Sequence, residues 1–267
     1  MIGLIATDLD GTLLEKDGTL PKDTFEAVEL LHDCGIRFAA ASGRQYGNLV
    51  RLFAPVADKM AFVCENGAFC MVDGKEAGSI AIPSETADEI IADVEALQMN
   101  LLISGRHTCY MLDQNRKYTD DIVYRLRNTV TIISSVKEIT EPILKISGQI
   151  DTGVAALAPA LLGKWGSRVT ATVSGRDWFD FTVANKGMGM QKLIEHMGLQ
   201  KEEAAAFGDN FNDETMLDLV GYPFIMENAH PDLHKPNYQV CKKVVPVLRA
   251  IARTKGDWNK ALEIING

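Results

Sequence analysis

The segment IGLIAT (Ile2–Thr7) runs directly into DLDGTLL (Asp8–Leu14). Its first part is a continuous apolar run of the length expected for a strand that is buried on both faces of a sheet. Ligands of open α/β sheets bind at the carboxyl ends of such strands. Asp8 and Asp10 lie two residues apart just beyond this strand end, so both carboxylates can reach a site there. On its own, the pattern also fits an acidic surface turn.

Two further motifs could contribute to a phosphate site. ASGR (Ala41–Arg44) follows a predicted strand, and the hydroxyl of Ser42 together with backbone amides can hold phosphate oxygens. NKG (Asn185–Gly187) begins a predicted helix, where Lys186 can act as a point charge against phosphate. Taken singly, Ser42 also fits a helix N-cap, and Lys186 also fits a solvated surface lysine.

A fourth motif has the composition of a metal site. GDNFND (Gly208–Asp213) follows the predicted strand Ala204–Phe207 and places carboxylates and carboxamides on one strand-to-helix loop. Oxygen ligands of this kind suit a hard divalent cation. All four motifs follow predicted parallel strands or begin helices at the same sheet edge. Together they supply a nucleophile, an acid/base group, a phosphate cradle, a cation and a metal site, which are the parts that phosphoryl transfer requires.

The order of elements along the chain indicates two architectures. In the N-terminal third and again from about residue 186, short apolar strands alternate with helices, which is the pattern of a parallel, doubly wound α/β sheet. Between these parts strands follow strands, which is an α+β pattern. We therefore predict a Rossmann-like core formed by residues 1–82 and 186–267, with an α+β cap domain of residues 83–185 inserted into it.

Local signals refine this picture. The dipeptide Asp73-Gly74 favours a tight turn, so a hairpin is expected there. In the middle segment, helices are expected at Asp120–Arg127 and Thr152–Leu162. The runs Arg168–Val173 and Trp178–Val183 are predicted to be two paired strands.

Charge and cysteine usage bear on partners and compartment. The 267 residues carry a formal net charge of −9. An acidic surface repels nucleic-acid backbones and anionic membranes, so neither is an expected partner. The five cysteines are scattered without a Cys-x-x-Cys pair, and the apolar start Met1–Thr7 is too short for a signal peptide. A cytoplasmic protein with reduced thiols is therefore expected, while the sequence leaves its oligomeric state open.

The four motifs, in this order and spacing, resemble those of the haloacid dehalogenase superfamily. Within it, the chain resembles the Cof-type phosphatases, which carry a large α/β (C2B-type) cap between the second and third motifs. The resemblance covers essentially the whole chain and is stronger in the core than in the cap. CENGA (Cys64–Ala68) is similar to the family's Asn-Gly-Ala loop, whereas Glu227-Asn228-Ala229 stands where relatives often have Gly-Asn-Ala.

The resemblance implies a role for each motif residue. Asp8 would be the nucleophile and Asp10 the acid/base group, with Mg²⁺ as the cofactor. The residues implied in binding the phosphoryl group are Ser42, Gly43, Arg44, Lys186 and Asn212. The groups implied in holding the metal are Asp8, the backbone carbonyl of Asp10, Asp209 and Asp213, the last of them directly or through water.

The expected activity is hydrolysis of a small phosphorylated metabolite, and sugar phosphates are the family-level expectation. Asp10 favours hydrolysis, because a general base beside the nucleophile can activate the water that cleaves an aspartyl-phosphate. A phosphotransferase or mutase on the same scaffold fits the same motifs and stays an alternative. A non-catalytic receiver-like module that binds magnesium is a third reading, but receivers are about half this length and have no inserted domain. The cap is expected to cover the crevice and to determine specificity.

Overall fold

The structure, a computed structural model, describes residues 1–113 and 115–266. Gln114, in the predicted cap, and Gly267, at the end of the predicted core, lie outside the described residues. The strands of the described chain are β1 (Leu4–Thr7), β2 (Arg37–Ala41), β3 (Met60–Cys64), β4 (Phe69–Val72), β5 (Lys75–Ser79), β6 (Asn100–Ser104), β7 (Cys109–Leu112), β8 (Val130–Ile133), β9 (Lys145–Gln149), β10 (Thr170–Val173), β11 (Trp178–Thr182), β12 (Ala204–Gly208), β13 (Tyr222–Met226) and β14 (Gln239–Cys241). The α-helices are α1 (Thr24–Asp33), α2 (Tyr46–Leu52), α3 (Ser84–Ala96), α4 (Arg116–Asp120), α5 (Ala158–Trp165), α6 (Lys186–Met197), α7 (Glu214–Leu217), α8 (Val244–Arg253) and α9 (Trp258–Asn266).

Eight strands form the first sheet, in the order β14-β13-β12-β1-β2-β3-β4-β5. The strands from β14 to β3 are parallel, and β4 pairs with β3 in the antiparallel sense. The central strands β1, β3 and β12 are buried along their whole length, as expected for apolar strands covered on both faces. The predicted doubly wound α/β core is therefore confirmed.

The strand order reverses direction beside β1. From β1 the chain proceeds to β2 and β3 on one side, whereas β12, β13 and β14 follow one another on the other side. The topological switch point therefore lies between β1 and β12, where ligands of such sheets bind. Leu4 is in register with Ala204, and Thr7 is in register with Phe207. The residues that follow β1 and β12 are thus brought side by side.

The edge of this sheet carries the predicted hairpin. Asp73 has a φ of 50° and Gly74 a φ of 71°, and both residues lie in the turn between β4 and β5. Two left-handed residues in succession are the signature of a type I′ turn, whose twist matches that of the flanking strands. The hairpin prediction is confirmed.

Six strands form the second sheet, in the order β10-β11-β9-β6-β7-β8. Its pairs are antiparallel apart from β7 and β8, which run parallel. Helices α3 and α5 contribute Ile90, Val94 and Trp165 to a core that includes Phe179 and Phe181 of β11. The expected pairing of β10 with β11 is confirmed, since Ala171 lies opposite Phe181.

Chain contacts divide the described protein into two compact units. The first comprises Met1–Arg44, Leu49–Gly78 and the chain from Asn185 onward, and the second comprises Gln45–Asn48 and Ser79–Ala184. The assignment of residues 83–185 as a specificity domain stays a prediction. Within the described residues, no helix is both long enough and apolar enough to cross a membrane.

Several elements differ from the sequence-based expectation. The helix expected at Thr152–Leu162 occupies Ala158–Trp165, because Pro159 suits a first helical turn and Gly153 has a φ of 90°. The helix expected at Asp120–Arg127 begins earlier, at Arg116, because the side chain of Asn115 accepts a hydrogen bond from the amide of Tyr118. Beyond α4 it continues as a π-helical turn over Asp121–Arg125. Strand β14 and helix α9 were not anticipated.

Candidate active site

The switch point of the first sheet holds a buried nucleophile candidate. Asp8 directly follows β1, and its amide donates to the carbonyl of Phe207 in β12 over 2.9 Å. This bond fixes the end of β1 against the neighbouring strand. The side chain of Asp8 is buried.

Lys186 is a fully buried cation between two carboxylates. Its Nζ donates to Oδ1 of Asp8 over 2.5 Å and to Oδ1 of Asp213 over 2.6 Å. The side chain of Lys186 is 1% exposed and that of Asp213 is inaccessible. Asn185 positions this lysine at the start of α6, because its side chain accepts from the amide of Met188 and caps the helix. The lysine is therefore part of the site and not a solvated surface residue.

The pKa values of Asp8 and Lys186 are shifted by burial and by the charges of their neighbours. Burial, reinforced by Asp213, raises the pKa of Asp8 to about 7 even though Lys186 opposes the shift. Burial alone would lower the pKa of Lys186, but Asp213 and Asp8 together raise it above its ordinary value. Lys186 is thus held in its charged form by two anionic neighbours.

Three carboxylates are positioned to share a cation. Oxygen atoms of Asp8, Asp209 and Asp213 all lie within 4.8 Å of one another. Burial raises the pKa of Asp209, although the hydrogen bond from Thr12 and the charge of Lys186 oppose the shift. An all-oxygen, all-carboxylate set suits a hard divalent cation such as Mg²⁺, so the donor chemistry of this site fits the implied metal.

Asp209 is held in place by the segment that follows Asp8. Oδ1 of Asp209 accepts from the hydroxyl of Thr12 over 3.0 Å, and Oδ2 faces the amide of Asn228 at 3.4 Å. Asn228 also donates to the carbonyl of Gly11 over 3.0 Å. Gly11 has a φ of 89°, and a Cβ built there would come within 2.2 Å of Oδ2 of Asp209. Only glycine fits this approach without displacing the carboxylate.

Asp213 organises the loop after β12. Its Oδ2 accepts from the amides of Asp209 and Asn210, each over 3.0 Å, while its Oδ1 binds Lys186. Both oxygens are therefore already engaged within the protein. Asp213 thus supports the loop and the lysine in addition to lying within reach of a cation.

Asp10 lies at the mouth of the site with its side chain 66% exposed. Nη2 of Arg44 donates to both of its oxygens, over 2.7 Å and 3.0 Å. The carboxylate of Asp10 does not join the three-carboxylate cluster of the described residues. This placement leaves Asp10 accessible to a substrate, and it brings Arg44 to the same position.

Ser42 and Gly43 lie on a turn that is held by hydrogen bonds to the end of β3 and to the segment that follows it. The amide of Ser42 donates to the carbonyl of Val63, and its Oγ accepts from the amide of Arg44 over 3.3 Å. The carbonyl of Ser42 accepts from the amide of Asn66 over 3.0 Å. Three consecutive residues, Glu65, Asn66 and Gly67, have φ values of 50°, 55° and 101°. This left-handed turn lets the amide side chain of Asn66 lie over Gly43.

The remaining predicted residue, Asn212, lies on the loop that follows β12. It is exposed, and its side chain makes no hydrogen bond within the described part of the chain. Three contributors were not anticipated. Thr12 lies inside the first motif, Asn228 inside the departure noted at Glu227-Asn228-Ala229, and Thr215 accepts from the amide of Gly187 over 3.1 Å. Thr12 and Asn228 lie inside stretches already singled out in the sequence, but their tertiary contacts could not be foreseen from those stretches, and no motif marks Thr215.

The arrangement defines a class of enzyme. The site combines a buried carboxylate paired with a lysine and a cluster of carboxylates that suits a divalent cation. On a doubly wound α/β sheet, these groups are typical of enzymes that transfer phosphoryl groups.

Comparison with known proteins identifies the family. The haloacid dehalogenase-like hydrolases match this chain over residues 5–245. A 5-amino-6-(5-phospho-D-ribitylamino)uracil phosphatase of Escherichia coli is 28% identical over 236 residues, which cover 85% of this chain and 86% of that relative. An HMP-PP phosphatase of Yersinia pestis is 24% identical over 271 residues, which cover 95% of this chain and 91% of that relative. The chain belongs to the haloacid dehalogenase-like hydrolases, and it is a phosphatase of this family.

Solved structures agree with this fold. A sugar phosphatase of haloacid dehalogenase subclass IIB superposes with a TM-score of 0.75 at 21% identity, covering 97% of this chain and 99% of its own. The family predicted from the four motifs is confirmed.

Proposed function

We propose that this phosphatase hydrolyses a small phosphomonoester through a covalent aspartyl-phosphate on Asp8, with Mg²⁺ as its cofactor. The observation that carries the proposal is the burial of Asp8 at the switch point, bonded to Lys186 and within 4.8 Å of Asp209 and Asp213. Mg²⁺ bound by these carboxylates would offset the repulsion between an anionic nucleophile and an anionic phosphate.

Each residue of the site has a separate role in the proposed reaction. Asp8 attacks phosphorus, and Lys186 holds the carboxylate and balances the charge that gathers on the phosphoryl oxygens. Ser42 and the neighbouring amides hold phosphoryl oxygens. Asp10 donates a proton to the departing alcohol and then removes one from the water that cleaves the aspartyl-phosphate.

The ion pair between Arg44 and Asp10 is the part of the site that substrate binding must change. Arg44 donates to both oxygens of Asp10, and this pairing occupies the carboxylate that must contact the leaving group and the water. A phosphate dianion offers Arg44 a stronger partner. We propose that Arg44 turns to the phosphate and releases Asp10 for its acid/base role.

The names of the relatives support a small metabolite as substrate. They name a ribitylaminouracil phosphate, HMP-PP and sugar phosphates, and a sugar phosphate is our specific proposal. The assignment of residues 83–185 to substrate selection and of the protein to the cytoplasm are likewise proposals, the latter from the scattered cysteines, all five of which are free.

The covalent step can be tested with two variants and one substrate. Asp8→Asn should lose turnover of p-nitrophenyl phosphate by several decades, because an amide is not a nucleophile. Asp10→Asn should still accept the phosphoryl group from this activated ester, whose leaving group needs no proton, but should lack the base for the second step. Intact-mass measurement should then show one added phosphoryl group on Asp10→Asn and none on Asp8→Asn.

Two results would count against the mechanism. An Asp8→Asn variant that keeps more than about a hundredth of the wild-type rate would exclude Asp8 as nucleophile. An Asp10→Asn protein that stays unmodified during slow turnover would exclude Asp10 as the base. Release of inorganic phosphate from the wild type, rather than transfer to a second sugar, separates hydrolysis from the phosphotransferase alternative.

A further inference from the structure

A cavity lies in the first unit, beside the segment that begins at Asp10. It has a volume of about 970 Å³ and is lined by the segment from Asp10 to Glu15, by the N-terminal part of α8 and by Ile264 and Ile265 of α9. Asp8, Lys186 and Asp209 do not line it. The cavity is therefore separate from the carboxylate cluster, although it shares the wall that carries Asp10.

Part of the cavity wall is apolar. Buried residues Leu13, Val244 and Val247 contribute to it. Ile264 and Ile265 are 47% and 38% exposed, so they leave apolar surface uncovered on this wall. A ligand with an apolar or aromatic body would cover this surface and gain the free energy of apolar burial.

The rim of the cavity is cationic in a protein whose net charge is −9. The acidic side chains that line it are Asp10, Glu15 and Asp23. The basic ones are Lys16, Lys22, Lys242, Lys243, Arg249 and Arg253. Such a local excess of positive charge attracts anions in spite of the overall acidity.

Most of these cations have no partner in the described chain. Lys242 pairs with Glu227, and Arg249 pairs with Asp23 and Glu26. The side chains of Lys16, Lys22, Lys243 and Arg253 form no ion pair and no hydrogen bond with any described residue. Among the described residues, Nε of Arg249 is likewise a buried donor without an acceptor.

We propose that this cavity binds a small organic anion that joins a carboxylate, phosphate or sulfonate group to an apolar or aromatic body. The anionic group lies among the rim cations near Lys22 and Arg253, and the body lies on the wall formed by Leu13, Val247 and Ile264. The amides at the start of α8, which spans ten residues, add positive potential at the same rim.

Occupancy of the cavity also alters turnover. The ligand contacts the segment that carries Asp10 and lies against Asn228, which bonds Gly11 and faces Asp209. A ligand packed there restrains the segment that places both catalytic and metal-binding groups, and so changes kcat. This second part rests on the proposed phosphatase mechanism, whereas the binding itself does not.

The test uses 8-anilinonaphthalene-1-sulfonate, a sulfonate with an aromatic body that is not a phosphate ester. Its fluorescence is titrated with the full chain in the presence of Mg²⁺ and saturating inorganic phosphate, so that the catalytic site is not available to the probe. The variant is Lys22→Glu with Arg253→Glu, two exposed positions on the rim. Lys201→Glu, also exposed and outside the cavity, is the matched control.

We expect saturable binding whose Kd rises by at least about tenfold in the double variant, because like charges then face the sulfonate. The Lys201→Glu control should stay within about twofold of the wild type. Equal Kd values in the wild type and the double variant, or the absence of saturable binding, would overturn the site. Thermal melts of all three proteins confirm that the variants are folded.

The coupling to catalysis has its own readout. The saturating probe should change kcat for p-nitrophenyl phosphate in the wild type and leave it unchanged in the double variant. An unchanged kcat in the wild type at full occupancy would overturn the coupling. A wild type without phosphatase activity would instead overturn the proposed function, and the titration would still decide whether the cavity binds anions.

Discussion

Replacement of Gly11 by alanine should separate the placement of Asp209 from the stability of the fold. Two costs arise at this position. A φ of 89° is unfavourable for any residue with a Cβ, and the new methyl group would lie 2.2 Å from Oδ2 of Asp209. The first cost is about 1 kcal/mol of folding free energy. The clash between the new methyl group and Oδ2 of Asp209 is too close for either atom to stay in place. The carboxylate must therefore move away by roughly 1 Å to reach an ordinary contact distance.

A retreat of this size should matter more for catalysis than for folding. A misplacement of roughly 1 Å can cost about a hundredfold in rate. Asp209 would also leave Thr12 and Asn228, which hold it at 3.0 Å and 3.4 Å. We therefore expect Gly11→Ala to lower kcat/KM for p-nitrophenyl phosphate by about a hundredfold and to raise the Mg²⁺ concentration needed for half-maximal rate.

Gly18→Ala is the matched control for backbone strain. Gly18 has a φ of 81°, close to that of Gly11, but a Cβ built there meets nothing within 4 Å. Both variants should lose about 1 kcal/mol in urea unfolding, while only Gly11→Ala should lose activity. Rates for the two variants within about threefold of each other would refute the reasoning, because the clash with Asp209 would then have no effect on the site.

Three further predictions follow from the same contacts. Lys186→Met should lower the free energy of unfolding by about 3–5 kcal/mol in urea titrations, because it leaves two buried carboxylates without their cation; a loss below about 1 kcal/mol would show that the pairing is unimportant. Asn228→Ala should weaken the apparent Mg²⁺ affinity by about tenfold in rate measurements, and an unchanged affinity would show that its contact with Asp209 has no role. EDTA should abolish activity and Ca²⁺ should fail to restore the full rate, since its looser coordination can engage both oxygens of Asp8; full activity in EDTA would exclude the metal site.

Much of the first sheet could be predicted because each strand carries its own signal. The runs before Asp8 and Asp209 are apolar along their whole length, and such runs are buried on both faces of a parallel sheet. The Asp73-Gly74 turn is equally local, since two left-handed residues are encoded by the dipeptide itself. Strand β14, with three residues of mixed polarity, offers no comparable run.

The sequence predicted which residues belong to the site better than it predicted the contacts between them. The spacing of the motifs places Asp8, Lys186 and Asp213 at one sheet edge, but not the two bonds that Lys186 makes with both carboxylates. The close approach of Gly11 to Asp209 depends on the register of β1 with β12, which is a long-range property of the fold. Such tertiary relations leave no trace in local periodicity.

The pairing of β1 with β12 has a consequence for how the chain is made. Leu4 leaves the ribosome well before its partner Ala204, which follows two hundred residues later. At a synthesis rate of about 5–20 residues per second, one edge of β1 stays unpaired for roughly 10–40 seconds. Open apolar edges invite pairing with other chains. The nascent protein therefore passes through an aggregation-prone stage whose length is set by the position of β12, and slower translation of residues 79–184 would prolong it.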